Sequence, residues 1–524
     1  MTRERYALGI DLGTGGVKVG LVRADGALIA KRTAEISTRH PNGALSATQD
    51  PVSWWASIVE MTHSIVEEFD PKDSLVAICA TGQWASTVPV DSTGNPVDEC
   101  FLWMDESGAS YSESIIGGKF MGYNPLAAWT FIRKTGGAPS RSGADPIGHI
   151  NYIEQELPAV AAKVRWYLEP VDFISMKLTG IAAATHASMT ASWLTNNTKL
   201  DRYRYDKKLI QLSRMPVAKL PRLIPVGSVI GKISEAAAKE LHLDFGANVV
   251  TGLPDLHTGA IGSGSIEVDE VHLCLSTTAW ISAPVSKKKT DIFHSIASVP
   301  GVFPGEYLIA NNHETAGESL DWFRDTFFNN GSPSLGTTGF SELDRLGSQS
   351  SPGSNGVVFT PWLAGERSPV DDKNARAAFI GLSLATTKAD LTRSVLEGVA
   401  LSNRWLMEPF VKFKEGRSPD KVRIIGGGAN SDLWCQIHAD VLKTEIHRVK
   451  DPTYANLKGA GLMALFGTGT ISRSEIKAAI EIDQIFIPHL PNEKLLDEYY
   501  VVFSKIYKRH KPLFRLLTPL RGRT

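Results

Sequence analysis

In residues 6 to 36, YALGIDLGTGGVKVGLVRADGALIAKRTAEI, apolar positions alternate on both sides of a Gly/Thr turn and again around the ADG turn. Alternation with a period of two, broken by turn residues, predicts strands joined by tight connections, here a three-stranded antiparallel meander. Helical spacing follows in WWASIVEMTHSIVEEF, then a strand in LVAICATG and a further hairpin around VPVDSTGNPV. Strands and helices mixed in this order predict a layered α/β domain.

The same chemistry returns around residues 247 to 283. ANVVTGLPD leads into a helix-like stretch and then VHLCLSTTAWISAPV, a strand, a small polar turn and a strand. Two related halves are expected, divided near residue 260 into 1–260 and 261–524. In the second half, KVRIIGGGANSDLWCQIHADVL reads as a strand running through a glycine turn into a helix. NLKGAGLMALFG reads as a helix with one small-residue face. The Gly- and Ser-rich stretch from about 330 to 355 is expected to be an exposed loop or insertion. The amphipathic segment EKLLDEYYVVFSKIYKRHKPLF is expected to pack on the second domain.

Composition narrows the function classes. At 524 residues, 43% hydrophobic and 21% charged, the chain is too long for one core. A formal net charge of -1 argues against a large nucleic-acid footprint, which collects Lys and Arg on one face, and favours small-molecule partners. No apolar run approaches the roughly 20 residues that span a bilayer, and MTRERYALGIDLG lacks a signal-peptide core, so no membrane partner and a cytoplasmic location are expected. Cys79, Cys100, Cys274 and Cys435 are scattered without CxxC spacing, which supports neither a disulfide framework nor a zinc site.

Four segments carry candidate chemistry. In GIDLGTGGVK, residues 9 to 18, Gly13, Gly15 and Gly16 allow a tight turn whose N–H groups face an anion. Thr14 adds a hydroxyl, Lys18 a positive charge, and Asp11 a carboxylate of the kind Mg²⁺ prefers. An ordinary Gly-rich hairpin is the plain alternative. LSTTAWIS offers Ser276, Thr277 and Thr278 in a turn at the corresponding place of the second half. In GGGANSDLW, Gly427, Gly428, Ala429 and Asn430 allow close approach of a ring or phosphate, while Asn430 and Ser431 are equally suited to capping the next helix.

Asp255 follows a strand and Pro254, which places it at or near a helix N-terminus at the domain junction, where the dipole favours the ionised form. A carboxylate there suits either a helix cap or the base that takes a hydroxyl proton during phosphoryl transfer. GAGLMA at 459 to 464 fits the loose dinucleotide pattern but begins inside a helix-like run, so helix packing is expected, and there is no GxxxxGK[ST].

Taken in order, GIDLGTGGVK, TGQW, LWMD, DFISMKLTG, GLPD, STTAW, GLSLATTKADLTRSVLEGVA and GGGANSDLWCQIHADVL resemble the FGGY carbohydrate kinases over most of the chain. The resemblance implies an α/β fold of two ribonuclease H-like (actin-like ATPase) domains with a nucleotide and sugar cleft between them. It implies ATP and Mg²⁺, with Asp11, Thr14 and Lys18 at the phosphate and metal end. Thr277 and Thr278 fall on a second phosphate loop, Gly427, Gly428, Ala429 and Asn430 near the adenosine, and Asp255 on the catalytic aspartate.

The opening motif and the TGQ and WMD segments are most similar to the xylulokinase branch, which places Gln83, Trp84, Trp103, Asp105 and Asp255 around the sugar. D-xylulose is therefore the first substrate expected. The chain departs from that branch where Gln-Met-His-Gly becomes Gln83, Trp84, Ala85 and Ser86, and where Asp-Asn becomes Asp255, Leu256 and His257. Ser276 stands in place of the usual glycine. Ribulose, a tetrose or pentose polyol, glycerol or a hexose derivative stay open as acceptors. So do a non-catalytic sugar sensor and an actin-like conformational ATPase, the latter disfavoured because no peptide-binding extension is visible. A homodimer is compatible with the resemblance, although the sequence does not set the oligomeric state.

Overall fold

The computed structural model describes residues 4–43, 45–71, 74–120, 122–329 and 339–518. The expected meander is present as β1 (Tyr6–Gly13), β2 (Gly16–Arg23) and β3 (Leu28–Glu35), antiparallel throughout. Helix α1 (Pro51–Phe69) starts three residues before the first tryptophan of the expected span. Asp50 accepts the Val52 N–H as its cap and Pro51 occupies the first turn, where a missing N–H costs nothing. Strand β4 (Leu75–Gly82) runs parallel to β1, and β5 (Val229–Lys232) and β6 (Asn248–Pro254) complete a six-stranded sheet in the order β5-β6-β4-β1-β2-β3. Central strands β1 and β4 are buried along most of their length, whereas edge strand β3 alternates. That is the burial pattern of a sheet covered on both faces at its centre.

Helix α2 (Asp255–Ser263) then crosses to the second half. There β7 (Val271–Leu275) and β8 (Ala279–Ser282) form a hairpin, β9 (Lys421–Ile425) precedes helix α3 (Asp432–Leu442), and β10 (Glu445–Val449) precedes helix α4 (Ala455–Gly467). With β11 (Ile482–Phe486) the second sheet runs β8-β7-β9-β10-β11. The two sheets share a plan: an antiparallel hairpin whose first strand lies parallel to a later strand, itself parallel to a third. The repeat therefore begins at Val271. ANVVTGLP, expected to open it, is instead the strand beside β4 in the first sheet.

Two expectations change in detail. The hairpin around VPVDSTGNPV is a short turn with a single bridge, Val90 to Pro96, and Val88–Val90 pairs mainly with Trp166–Leu168. Of the expected loop at 330–355, residues 330–338 lie outside the described residues, and Phe340–Gly347 is helical. The carboxy-terminal helix α5 (Leu490–Leu517) packs as its spacing predicts, burying Leu496, Tyr500, Phe503, Tyr507 and Phe514 in the second core beside Trp362.

Helices α2 and α4 join the halves through glycine. A Cβ on Gly262 would lie 1.8 Å from the Ala455 carbonyl, and one on Gly459 would lie 2.1 Å from that of Thr258. Such backbone approach is open only to glycine, which settles GAGLMA as a packing face. A mixed core forms around the pair, drawing Ala7, Cys79 and Val250 from the first sheet and Cys274, Ile425 and Val449 from the second. All four cysteines are buried free thiols.

Candidate active site

Strand register gathers the predicted residues. Leu12 of β1 pairs with Gly82 of β4, and Gly82 with Pro254 of β6, so three adjacent parallel strands end in one row. Asp11 to Thr14, Gln83 to Trp84, and Asp255 leave from that row. In the second sheet Cys274 of β7 pairs with Ile425 of β9, which brings the Ser276–Thr278 and Gly426–Gly428 turns side by side. The carboxyl ends of parallel strands are where open α/β sheets expose loops and helix N-termini to ligands.

The first turn is open at its tip, since a Cβ on Gly15 would meet nothing within 4 Å. Lys18 lies on β2 directly opposite Asp11, and its ammonium sits 3.0 Å from Asp11 Oδ2. The Asp11 charge raises the Lys18 pKa against the lowering effect of burial. Its charge is thus held by Asp11 rather than projected from the turn. Asp11 Oδ1 makes no hydrogen bond among the described residues, and no cluster of three or more metal-ligating side chains occurs among them. One carboxylate with an open oxygen fits Mg²⁺, which binds through one or two carboxylates, waters and substrate phosphates.

Asp255 is the first residue of α2, with Pro254 as cap residue, so the simple capping role does not apply. Its Oδ1 accepts the Leu256 N–H at 2.7 Å. Burial, reinforced by the Asp11 charge, raises its pKa to about 7, against the lowering pull of Leu256 N–H and Lys18. The helix N-terminus favours the ionised form, as expected, but desolvation works against it and brings the group to about 7.

Of the sugar-side candidates, Trp103 and Gln83 join in one hydrogen-bonded network, while Trp84 and Asp105 stand outside it and Asp105, expected to line the pocket, is buried behind it. Trp103 Nε1 donates to Thr14 Oγ1 at 3.1 Å, and Thr14 Oγ1 in turn to Gln83 Oε1 at 3.4 Å. Gln83 Nε2 donates to Gln49 Oε1, while Gln49 Nε2 donates to the Thr14 carbonyl at 2.7 Å. Gln49 was missed in the sequence because it lies in no motif and acts only through contacts 34 and 35 positions away. Asp105 is fully buried, accepting the N–H groups of Ala47 (2.7 Å) and Ser107 (2.9 Å). Half-buried Trp84 donates its indole N–H to the Ser188 carbonyl. Behind it, Ser86 N–H donates to Glu169, whose carboxyl burial pushes well above the usual range.

On the second half, Thr277 and Gly427 are exposed at their turn tips. Gly427 has open space where a Cβ would be, but Gly428 packs on Leu275 and Ala429 is fully buried. Of the glycine run, only Gly427 leaves its backbone approachable, and Asn430 uses its amide on the Gly427 carbonyl and Thr453 Oγ1. Ser431 caps α3. The Ser276–Thr278 turn is braced from behind: Gly317 N–H donates to Ser276 O and Ala316 N–H to Thr277 O. A buried pair anchors that brace, His313 Nδ1 lying 2.9 Å from Glu366 Oε2, while Glu366 Oε1 accepts the N–H groups of Glu314 and Arg367.

These features define a two-half α/β kinase fold in which each half contributes a turn to one cleft. Residues 6–262 match the N-terminal domain of the FGGY family of carbohydrate kinases and residues 276–468 its C-terminal domain, and the chain belongs to that family. A xylulose kinase of Staphylococcus epidermidis is 30% identical over 97% of this chain and 98% of its own. A gluconokinase of Bacillus subtilis is 24% identical over 94% and 93%. The structure of a ligand-bound xylulose kinase from Lactobacillus acidophilus superposes with a TM-score of 0.84 at 21% identity, covering 98% of this chain and 100% of that one. The protein is a carbohydrate kinase, with a small-molecule sugar as its substrate. No helix among the described residues is long and apolar enough to cross a membrane.

Proposed function

We propose that this kinase transfers the γ-phosphoryl group of ATP to a hydroxyl of a small neutral sugar, with D-xylulose the first acceptor to test and Asp255 the general base. The observation that carries this reading is the half-buried Asp255 carboxylate, poised at about 7 beside Asp11 and Lys18 at the ends of the central strands. A base works best when its pKa lies near the working pH, because it is then both available and able to take a proton. The acceptor hydroxyl hands its proton to Asp255 as its oxygen attacks the γ-phosphorus and the bond to the β-phosphate oxygen breaks, with ADP leaving.

In this reading Asp11 would hold Mg²⁺ directly or through water, and the ion would supply neutralisation of phosphoryl charge. Gly13, Thr14 and Gly15 present donors to the phosphates from the first half, and Thr277 and Thr278 from the second. Lys18 tunes Asp11, while Gly427 and Asn430 border the adenosine, with Gly428 and Ala429 shaping that loop from behind. Gln83, Trp84 and Trp103 form the sugar wall, indole faces packing on C–H groups, and Asp105 supports it from behind through the Ala47 and Ser107 N–H groups. The charged side chains felt at Asp255 are Asp11 and the Lys18 bound to it, a compensated pair. A division into domains 1–260 and 261–524 that close on substrate completes the proposal. Four free thiols fit a reducing cytoplasm. A homodimer is the assembly to test by sedimentation.

The experiment is ADP release from ATP and Mg²⁺ with a panel of pentuloses, polyols, hexoses and gluconate. Release that depends on a neutral ketopentose and disappears in Asp255→Ala is expected. Faster turnover of gluconate overturns the acceptor assignment, and sugar-independent release overturns the kinase mechanism.

A further inference from the structure

Two of the three places where the chain departs from the xylulokinase pattern touch each other. Trp84 and His257 meet edge to face, ring centroids 5.7 Å apart at 82°. His257 is fully buried, and its Nε2 lies 2.8 Å from the Pro300 carbonyl, so Nε2 carries the proton and donates. Its Nδ1 has no partner among the described residues. The imidazole is thus positioned by two contacts, one to Trp84 in the first half and one to Pro300 in the second.

From Pro300 the connection continues through backbone pairing. Pro300 pairs with Tyr307 in a strand couple, Ile296–Pro300 against Tyr307–Ala310. Ser282 Oγ donates to the Ile309 carbonyl at 2.6 Å, and Asn311 exchanges two hydrogen bonds with Ile281. Ile281 and Ser282 belong to β8, the strand that leaves the Ser276–Thr278 turn. Trp84 also packs against a mixed cluster holding Leu256, Val299, Val302, Phe303 and Leu308, from both halves. An unbroken set of packed rings and paired strands therefore runs from the sugar wall to the second phosphate turn.

We propose that Trp84 and His257 form a relay through which an acceptor against Trp84 favours the nucleotide-binding arrangement of the second half. His257 is a positioning residue that acts through Trp84 and Pro300. The proposal rests on the sugar site assigned above. Coupling between sites requires an element whose arrangement both ligands bias, and the His257 ring, held from both halves, is the element the proposal assigns to that role.

The test measures binding of adenylyl imidodiphosphate with Mg²⁺ by calorimetry, with and without the acceptor that gives the fastest ADP release. In the intact protein the acceptor is expected to tighten nucleotide binding. His257→Phe keeps an aromatic edge but loses the Nε2 donor, and should cut that enhancement about 5-fold or more while affinity for nucleotide alone is unchanged. His257→Gln, whose amide can still donate toward Pro300, should recover part of it. An enhancement equal in His257→Phe and the intact protein, or none in the intact protein, overturns the relay while leaving the kinase reading standing. If no acceptor supports ADP release, both readings fall. Should His257→Phe not fold, hydrogen exchange on the intact protein decides: acceptor alone must slow amides of residues 296–310, and unchanged exchange overturns the relay.

Discussion

The two walls of the cleft use the same hairpin to different ends. In the first, Asp11 and Lys18 face each other across β1 and β2 and place a compensated charge pair beside Asp255. In the second, the Ser276–Thr278 turn contains no ionisable side chain, and the backbone of Ala316 and Gly317 holds it from behind. A Cβ on Gly317 would lie 2.5 Å from the Ser276 carbonyl, so the brace sits against the turn itself. The buried His313–Glu366 pair lies a layer farther back. One wall carries a compensated, largely buried charge pair next to the proposed base. The other keeps its ionisable pair buried and presents neutral donors, which under the proposed mechanism would hold a polyphosphate without adding charge beside Asp255.

The largest effect that would break this contrast is at Asp255. Asp255→Asn should lower kcat about 1,000-fold with folding intact, as expected for loss of a general base. In the intact protein kcat/KM should rise with pH from 6 to 8, following a group near 7. The same shift has a stability consequence: the folded protein holds this proton to higher pH than the unfolded chain, so stability falls as pH rises from about 4 to about 7. Asp255→Asn removes that loss, and its melting temperature relative to the intact protein should climb over that interval. A flat difference would show that the carboxyl is not perturbed.

Asp11→Asn comes next, with kcat reduced about 100-fold and a higher Mg²⁺ requirement, since the variant removes the proposed metal carboxylate and leaves Lys18 unpaired. On the neutral wall, Glu366→Ala strips two backbone N–H groups and buried His313 of their acceptor and should cost about 3 kcal/mol in denaturant unfolding. Its kinetic effect should fall on KM for ATP rather than on KM for sugar. Glu366→Gln, which still offers an acceptor oxygen, should lose less. Thr277→Val is the mildest, at about 1 kcal/mol in KM for ATP, the worth of one hydrogen bond. If it equalled Asp11→Asn, the division between a charged and a neutral wall would be wrong.

Much of this site was visible in the chain because local chemistry made it so. Gly15 and Gly427 sit at open turn tips, Ser431 caps a helix, and Asp255 begins one, all consequences of residue preferences within a few positions. What stayed hidden depends on contacts far apart in sequence. Gln49 joins Thr14 to Gln83, and Glu366 reaches His313 across 53 positions, with no motif to announce either. Ala429 follows the approachable Gly427 in the same motif, yet it is buried in the core, which periodicity over four residues does not reveal.

The amino-acid order alone thus determined most of the strands and turns and the place of Asp255 at the start of a helix between the halves, because alternation, glycine and proline act locally. Tertiary structure decided the protonation balance of Asp255, the capture of Lys18 by Asp11 and the joining of Trp84 to His257. Those depend on burial and on which distant groups become neighbours, and desolvation and pairing exist only once the two sheets and the helices between them have packed.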